Sequence, residues 1–181
     1  MRVITGTARG RVLKTLEGDD VRPTTDRVKE AIFSIIQFEI EGRRVLDLFA
    51  GSGQLGIEAL SRGAAFATFT DMSAESVDTV KKNLISTKLD RQSEVIRTEA
   101  VAFLRSNRKK FDIIFMDPPY YKNMFIDALS SIDEADLLCD DGIIVVEHDT
   151  KDKFVDKIGR LEKTRDKKYG NTTLTFYKLE E

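Results

Sequence analysis

The 181-residue sequence predicts an α/β protein: a mostly parallel open sheet with an antiparallel C-terminal edge pair and helices on both faces, plus a small N-terminal hairpin-helix extension. Two observations carry this. Five short runs rich in Val, Ile, Phe and Thr, at 44–49, 66–71, 93–98, 111–117 and 142–147, alternate with longer segments of good helix formers. Strands joined by helical crossovers pair in parallel and are covered on both faces. After residue 150 the alternation gives way to two β-like runs that meet at Gly170-Asn171, which suits an antiparallel pair at the sheet edge.

Taken in order, "RVITGTARGRVLKT" (2–15) reads as a hairpin around Ala8 to Gly10, and "TTDRVKEAIFSIIQ" (24–37) as a helix with Thr24 or Thr25 as N-cap. Val28, Ala31, Ile32, Ile35 and Ile36 form its apolar stripe, leaving Arg27 and Lys29 outside it. From residue 44 the strands alternate with "QLGIEALSRG", "SAESVDTVKKNLISTKL", "AVAFLRSN" and "MFIDALSSIDEADLL" as helices. In the second of these, Val77, Val80, Leu84 and Ile85 recur at helical steps. "KFVDKIG" (153–159) reads as a short helix, and the acidic "DEADLLCDD" as a solvated helix end. The chain divides into an extension over 1–43, packed on the core, and a domain over 44–181.

Composition narrows the function classes. A net charge of −2 means that any nucleic-acid surface is local. One cysteine, Cys139, excludes an internal disulfide framework and a multi-cysteine zinc site, and one histidine, His148, disfavours a histidine-rich metal site. Both are expected to be structural. No run approaches the roughly 18 apolar residues of a membrane span, and the start has no apolar leader segment. The expectation is a soluble cytoplasmic protein with no metal and no membrane partner.

Two motifs carry chemistry. "DLFAGSGQLG" holds Gly51, Gly53 and Gly56 in G-x-G-x-x-G spacing between a strand and a helix, where glycines permit a tight turn and the helix N-terminus favours an anionic group. Nicotinamide, flavin and S-adenosylmethionine enzymes all use such turns, and Asp71 at the end of the next strand suits the ribose of any of them. Asp47 separates them. It stands before the glycines, where a dinucleotide site keeps small apolar residues, and it suits the cationic amino group of S-adenosylmethionine.

The second motif is "FDIIFMDPPY", an apolar strand closed by an acid, two of the chain's three prolines and a tyrosine. Prolines supply no N–H and stiffen the chain, so groups beside them are firmly held. An exocyclic amine is a poor nucleophile because its lone pair is delocalised. The Asp117 carboxylate and the Pro118 carbonyl can accept its hydrogens, turning the lone pair out of the plane and stabilising the positive charge that develops. Tyr120 offers an aromatic face for a planar target.

With these residues in view, the sequence resembles the Rossmann-like methyltransferases that modify exocyclic nitrogens. More closely, "RPTTDRVKEAIF", "DLFAGSGQLGIEALSRGA", "FDIIFMDPPY" and "KKYGNTTLTFY" resemble the bacterial 16S ribosomal RNA guanine-N2 methyltransferases, the RsmD family. The resemblance runs nearly end to end. It implies a Rossmann-like methyltransferase fold and transfer of a methyl group from S-adenosylmethionine to a guanine N2 of the position-966 type in 16S ribosomal RNA, within an assembling small subunit. It places methionine-moiety contacts at Asp47 and at Ala50, Gly51, Ser52 and Gly53, and a ribose contact at Asp71. Adenine contacts fall at Met72, Glu99 and Ala100, and the target amine at Asp117, Pro118 and Tyr120. At two positions the chain departs from the family pattern: the ribose acid is more often Glu, and Asp is usual at Glu99.

Arg2, Arg9, Arg11 and Lys14 precede the first acid, Glu17. Beside a methyltransferase pocket they form a phosphate clamp, with Arg9 and Arg11 at its centre and Arg22, Arg27 and Lys29 extending the track; elsewhere they are ordinary surface. The competing functions are an N6-adenine DNA or glutamine-amide methyltransferase, in which Asn more often replaces Asp117, a nicotinamide-dependent oxidoreductase, and a non-catalytic RNA-binding module.

Overall fold

The structure is a computed structural model and describes residues 1–18, 24–118 and 122–181. Its centre is one sheet built from β1 (Arg44–Asp47), β2 (Phe66–Asp71), β3 (Ser93–Arg97), β4 (Phe111–Met116), β5 (Leu138–Asp149), β6 (Lys157–Ile158), β7 (Leu161–Tyr169) and β8 (Thr172–Leu179). The spatial order is β3-β2-β1-β4-β5-β8-β7-β6. The first five strands are parallel, and β8, β7 and β6 extend the sheet antiparallel. The chain walks outward from β1 to β3, then returns to the other side of β1. The crevice between β1 and β4 is therefore the topological switch point, where open α/β sheets bind ligands at their carboxyl edge.

Strand side chains alternate between two buried layers because successive Cβ atoms point to opposite faces. Val45, Ile113, Phe115, Ile143 and Val145 face one layer, which also holds Ile32, Phe33 and Ile36 of α1 (Asp26–Ile35) and its C-cap, Leu55 and Ile57 of α2 (Gln54–Ser61), and Val80 and Leu84 of α3 (Ala74–Thr87). Leu46, Ile114, Met116, Ile144 and Val146 face the other, covered by Phe103 and Leu104 of α4 (Ala100–Ser106) and by Phe125, Ala128 and Leu129 of α5 (Lys122–Glu134). Val3, Ala8 and Leu13 join the first layer, so residues before β1 share a core with the sheet.

A buried polar cluster holds those residues in place. Glu58, fully buried on α2, accepts from the backbone N–H of Ile4 at 2.9 Å and of Thr5 at 3.0 Å, and pairs with Arg62 at 3.0 Å and Lys29 at 3.7 Å. Lys29 also donates to the Arg2 carbonyl at 2.8 Å. Removing one member of such a pair strands a buried charge, at a typical cost of about 3–5 kcal/mol. Ser61 adds a second clasp, accepting from Ala8 N at 2.9 Å and donating to the Thr5 carbonyl at 2.7 Å.

The structure corrects four sequence expectations. Lys29 is buried rather than outside the helix stripe, because Glu58 and a carbonyl receive its ammonium. Ile85 is 66% exposed, since one residue beyond Leu84 turns about 100° away from the buried face. No helix forms over 153–159: the Val155 carbonyl accepts from Tyr177 OH and that of Asp156 from Lys163 N, partners incompatible with a helical ladder. The segment instead leads into β6. The acidic run also differs: α5 stops at Glu134, Asp136 takes a left-handed φ of 53°, and β5 starts at Leu138. Asp133 and Asp136 there pair with Arg160, and Asp136 with Lys110.

Candidate active site

The glycine loop turns from β1 into α2 with positive φ at Gly51 (56°) and Gly53 (82°), conformations that L side chains seldom adopt. Gly56 answers a different need. A Cβ there would lie 2.3 Å from the Phe69 ring, so its absence lets α2 press against β2. The loop is tied to its surroundings by Ala50 N to the Thr70 carbonyl at 2.9 Å and by Asn83, whose amide donates to the Ser52 and Lys14 carbonyls.

Asp71 closes β2 on the same edge. One carboxylate oxygen accepts from Gly51 N and the other from Ser73 N, each at 2.9 Å. Both bonds hold the carboxylate at the loop while leaving lone pairs for a ligand hydroxyl. Glu99 is exposed and caps α4, accepting from Val101 N at 3.0 Å and Ala102 N at 2.8 Å. Its oxygens thus serve the helix first. Met72, 68% exposed, and buried Ala100 stand nearby on the cavity wall.

These residues border one cavity of about 450 Å³ along the carboxyl edge. Its lining includes Ala50, Gly51 and Ser52 with Asp71 on one side, and Asp117 and Pro118 on the other. Asp117 is half-buried and Pro118 buried. Gly53 and Asp47 are buried and do not border it. Asp47 is 3% exposed and accepts from Gly56 N at 3.0 Å. Burial pushes its carboxyl up to about 7, the Gly56 N–H opposes this and nearby Asp71 adds to it. An approaching cation would favour its ionised form.

Several lining residues escaped the sequence reading. Gln54 is 7% exposed, and its Oε1 has no hydrogen-bond partner among the described residues. A buried acceptor left open at a cavity wall fits a ligand that donates. Glu147, two residues before the end of β5, accepts from the Thr24 hydroxyl at 2.6 Å. His148 also reaches the lining, but its ring is engaged: Nδ1 lies 2.8 Å from the Asp149 carbonyl, Nε2 2.7 Å from Thr175 Oγ1, and the face stacks on Phe154 at 3.9 Å. Burial lowers its pKa although the Asp149 carbonyl and neighbouring acids oppose the shift.

Arg9, Arg11 and Arg27 are exposed and do not border the cavity. The hairpin tip rests on Ser61, at the end of α2 remote from the glycine loop, while Met1, Thr15 and Leu16 reach the cavity. Arg22 and Tyr120 lie outside the described residues. Among those described, no group of three or more His, Cys, Asp or Glu side chains is arranged to hold a metal, and no helix is long and apolar enough to cross a membrane.

Comparison with known proteins gives concordant results. The family model described as conserved hypothetical protein 95 matches residues 1–178. The ribosomal RNA small subunit methyltransferase D of Haemophilus influenzae is 41% identical, over 84% of this chain and 80% of its own length. That of Escherichia coli (strain K12) is 33% identical, over 99% and 90%. Among solved structures, the Escherichia coli protein yhhF superposes with a TM-score of 0.90 at 31% identity, covering 100% of this chain and 98% of its own. The sheet order, the two helical layers and these matches together are those of a Rossmann-like methyltransferase fold.

Proposed function

The chain belongs to the conserved hypothetical protein 95 family, the RsmD-type ribosomal RNA methyltransferases, and on that premise we propose that it methylates a guanine N2 of 16S ribosomal RNA from S-adenosylmethionine. The single observation that carries this reading is the cavity that joins Asp71 and the glycine loop to Asp117 and Pro118 across the switch point. The substrate is RNA in an assembling small ribosomal subunit, and the site of action is the cytoplasm.

The residues present fit the cofactor. Asp71 could accept ribose hydroxyls, while Gln54 Oε1, a buried acceptor with no partner among the described residues, and buried Asp47 could meet the methionine ammonium. Ala50 to Gly53 would bring backbone close to its carboxylate, and Met72, Glu99 and Ala100 would border its adenine. S-adenosylmethionine, when bound, supplies an electrophilic methyl on a positively charged sulfur.

The protein's own contribution is positioning and electrostatics. Asp117 Oδ and the Pro118 carbonyl accept hydrogen bonds from the target amine, turn its lone pair toward the methyl and stabilise the charge that develops on nitrogen. Asp117 is also placed to hold the proton that the amine gives up. Tyr120 would stack on the base, and Arg9, Arg11, Arg22 and Arg27 would contact flanking phosphates. Calorimetry tests the cofactor assignment: S-adenosylmethionine and its demethylated product bind and NAD does not. Binding of NAD without binding of S-adenosylmethionine would overturn it.

A further inference from the structure

We propose that Glu147 reads the target base, accepting the N1–H of guanine beside the N2 that is methylated; this rests on the guanine-N2 reading above. The register of β4 and β5 pairs Met116 with Val146, so Asp117, the first residue past β4, and Glu147 on β5 each follow that last pair by one residue. Adjacent strands lie about 4.8 Å apart. Both residues border the cavity. Guanine carries N1–H and the exocyclic N2 on adjoining ring atoms, so an amine held at Asp117 leaves N1–H directed at a neighbouring acceptor.

The chemistry of this side of the cavity points the same way. Asp117, Glu147, Asp149 and Asp152 border it, and no Lys or Arg does among the described residues. Among the four bases only guanine presents an N–H at N1 next to an amine, whereas adenine presents a lone pair at N1, which a carboxylate repels. Thr24 is 3% exposed and donates to Glu147 Oε2, so the segment before α1 holds the carboxylate in place. Thr24 is a positioning residue in this account.

The test uses 16S RNA ligated from a synthetic segment with guanine or 2-aminopurine at the methylated position and reconstituted with small-subunit proteins. Both bases offer an N2 amine, but 2-aminopurine has a lone pair at N1. Wild-type protein is expected to prefer guanine in kcat/KM by about 10- to 100-fold, the usual discrimination of one directed base contact. In Glu147→Gln the carboxamide can turn its N–H toward N1, so the preference collapses or inverts while S-adenosylmethionine affinity is unchanged. Thr24→Val shifts the preference the same way but less. Equal wild-type rates on the two bases, or an unchanged preference in Glu147→Gln, would overturn the role of Glu147 while leaving guanine-N2 transfer standing. 2-Aminopurine also lacks O6, so the change in preference on altering Glu147 or its partner assigns the contact, and Thr24→Val supplies that change if Glu147→Gln does not fold: an unchanged preference there too would overturn the role of Glu147. Transfer to neither base by wild-type protein would instead defeat the guanine-N2 reading, and this inference with it.

Discussion

The two sides of the cavity are built differently. On the side of β1 and β2, the polar groups are already bound to one another: Asp71 to Gly51 N and Ser73 N, Asp47 to Gly56 N, and the loop to Asn83. On the side of β4 and β5, carboxylates stand together at the strand ends, with Thr24 from the N-terminal segment joined to one of them. The first arrangement suits a constant ligand whose shape the backbone can match. The second, in the function proposed, meets a base that is bound only briefly and must be told from the others.

That difference predicts separable defects. The largest concerns Asp117: Asp117→Ala should lower methyl transfer by about two to three orders of magnitude, as for loss of a preorganised electrostatic group, with cofactor affinity nearly unchanged. Single-turnover rates and calorimetry on the same variant check both halves of the statement. Full turnover in Asp117→Ala would remove the amine-orienting role.

Asp71→Ala should do the reverse. Loss of hydrogen bonds to a charged group is typically worth about 1–3 kcal/mol, so the dissociation constant of the cofactor should rise by roughly 5- to 150-fold. Turnover at saturating cofactor should stay close to wild type. An unchanged dissociation constant would place Asp71 outside the site.

A smaller effect comes from Asp47, whose raised pKa leaves it mostly protonated below about 7 and mostly charged above. A cationic ligand favours the charged form, so binding expels the proton and affinity rises as pH climbs toward about 7, then levels off. Below that point the gain is up to about tenfold per pH unit. Asp47→Asn lacks this titration, and comparing the two proteins cancels the ligand's own ionisation. Parallel pH profiles would show that no cation approaches Asp47.

The least effect is expected from Arg9→Ala combined with Arg11→Ala, because both are exposed and stand away from the cavity. Each lost phosphate contact should reduce the slope of log K for RNA against log salt by about 0.7 to 0.9 and leave cofactor affinity unaltered. A wild-type salt slope and wild-type RNA affinity would make the hairpin ordinary surface.

The two sides also differed in how far the sequence disclosed them. Local signals marked the cofactor side: glycine spacing after an apolar run, then an acid at the end of the next strand. Asp117 was visible because prolines follow it. Glu147 closes "GIIVVE" much as Asp117 closes "FDIIFM", yet no proline draws attention to it, and its partner Thr24 is distant in sequence. The burial of Lys29 is hidden for the same reason, since the acid that admits it to the interior lies on another helix. Gln54 looks like any polar residue opening a helix, and only its buried, unpartnered oxygen sets it apart. Period and turn chemistry reveal elements and loops; pairings between remote segments require the fold.

Methyl transfer to a guanine N2 of small-subunit ribosomal RNA, with Asp117 orienting the amine, should leave a mark in cells. Mass-spectrometric mapping of that RNA, from cells that have the protein, cells that lack it, and cells that carry only Asp117→Ala, reads it. One N2-methylguanosine is expected in the first and should be missing or strongly depleted in the other two. An identical set of methylated guanines in all three would contradict it.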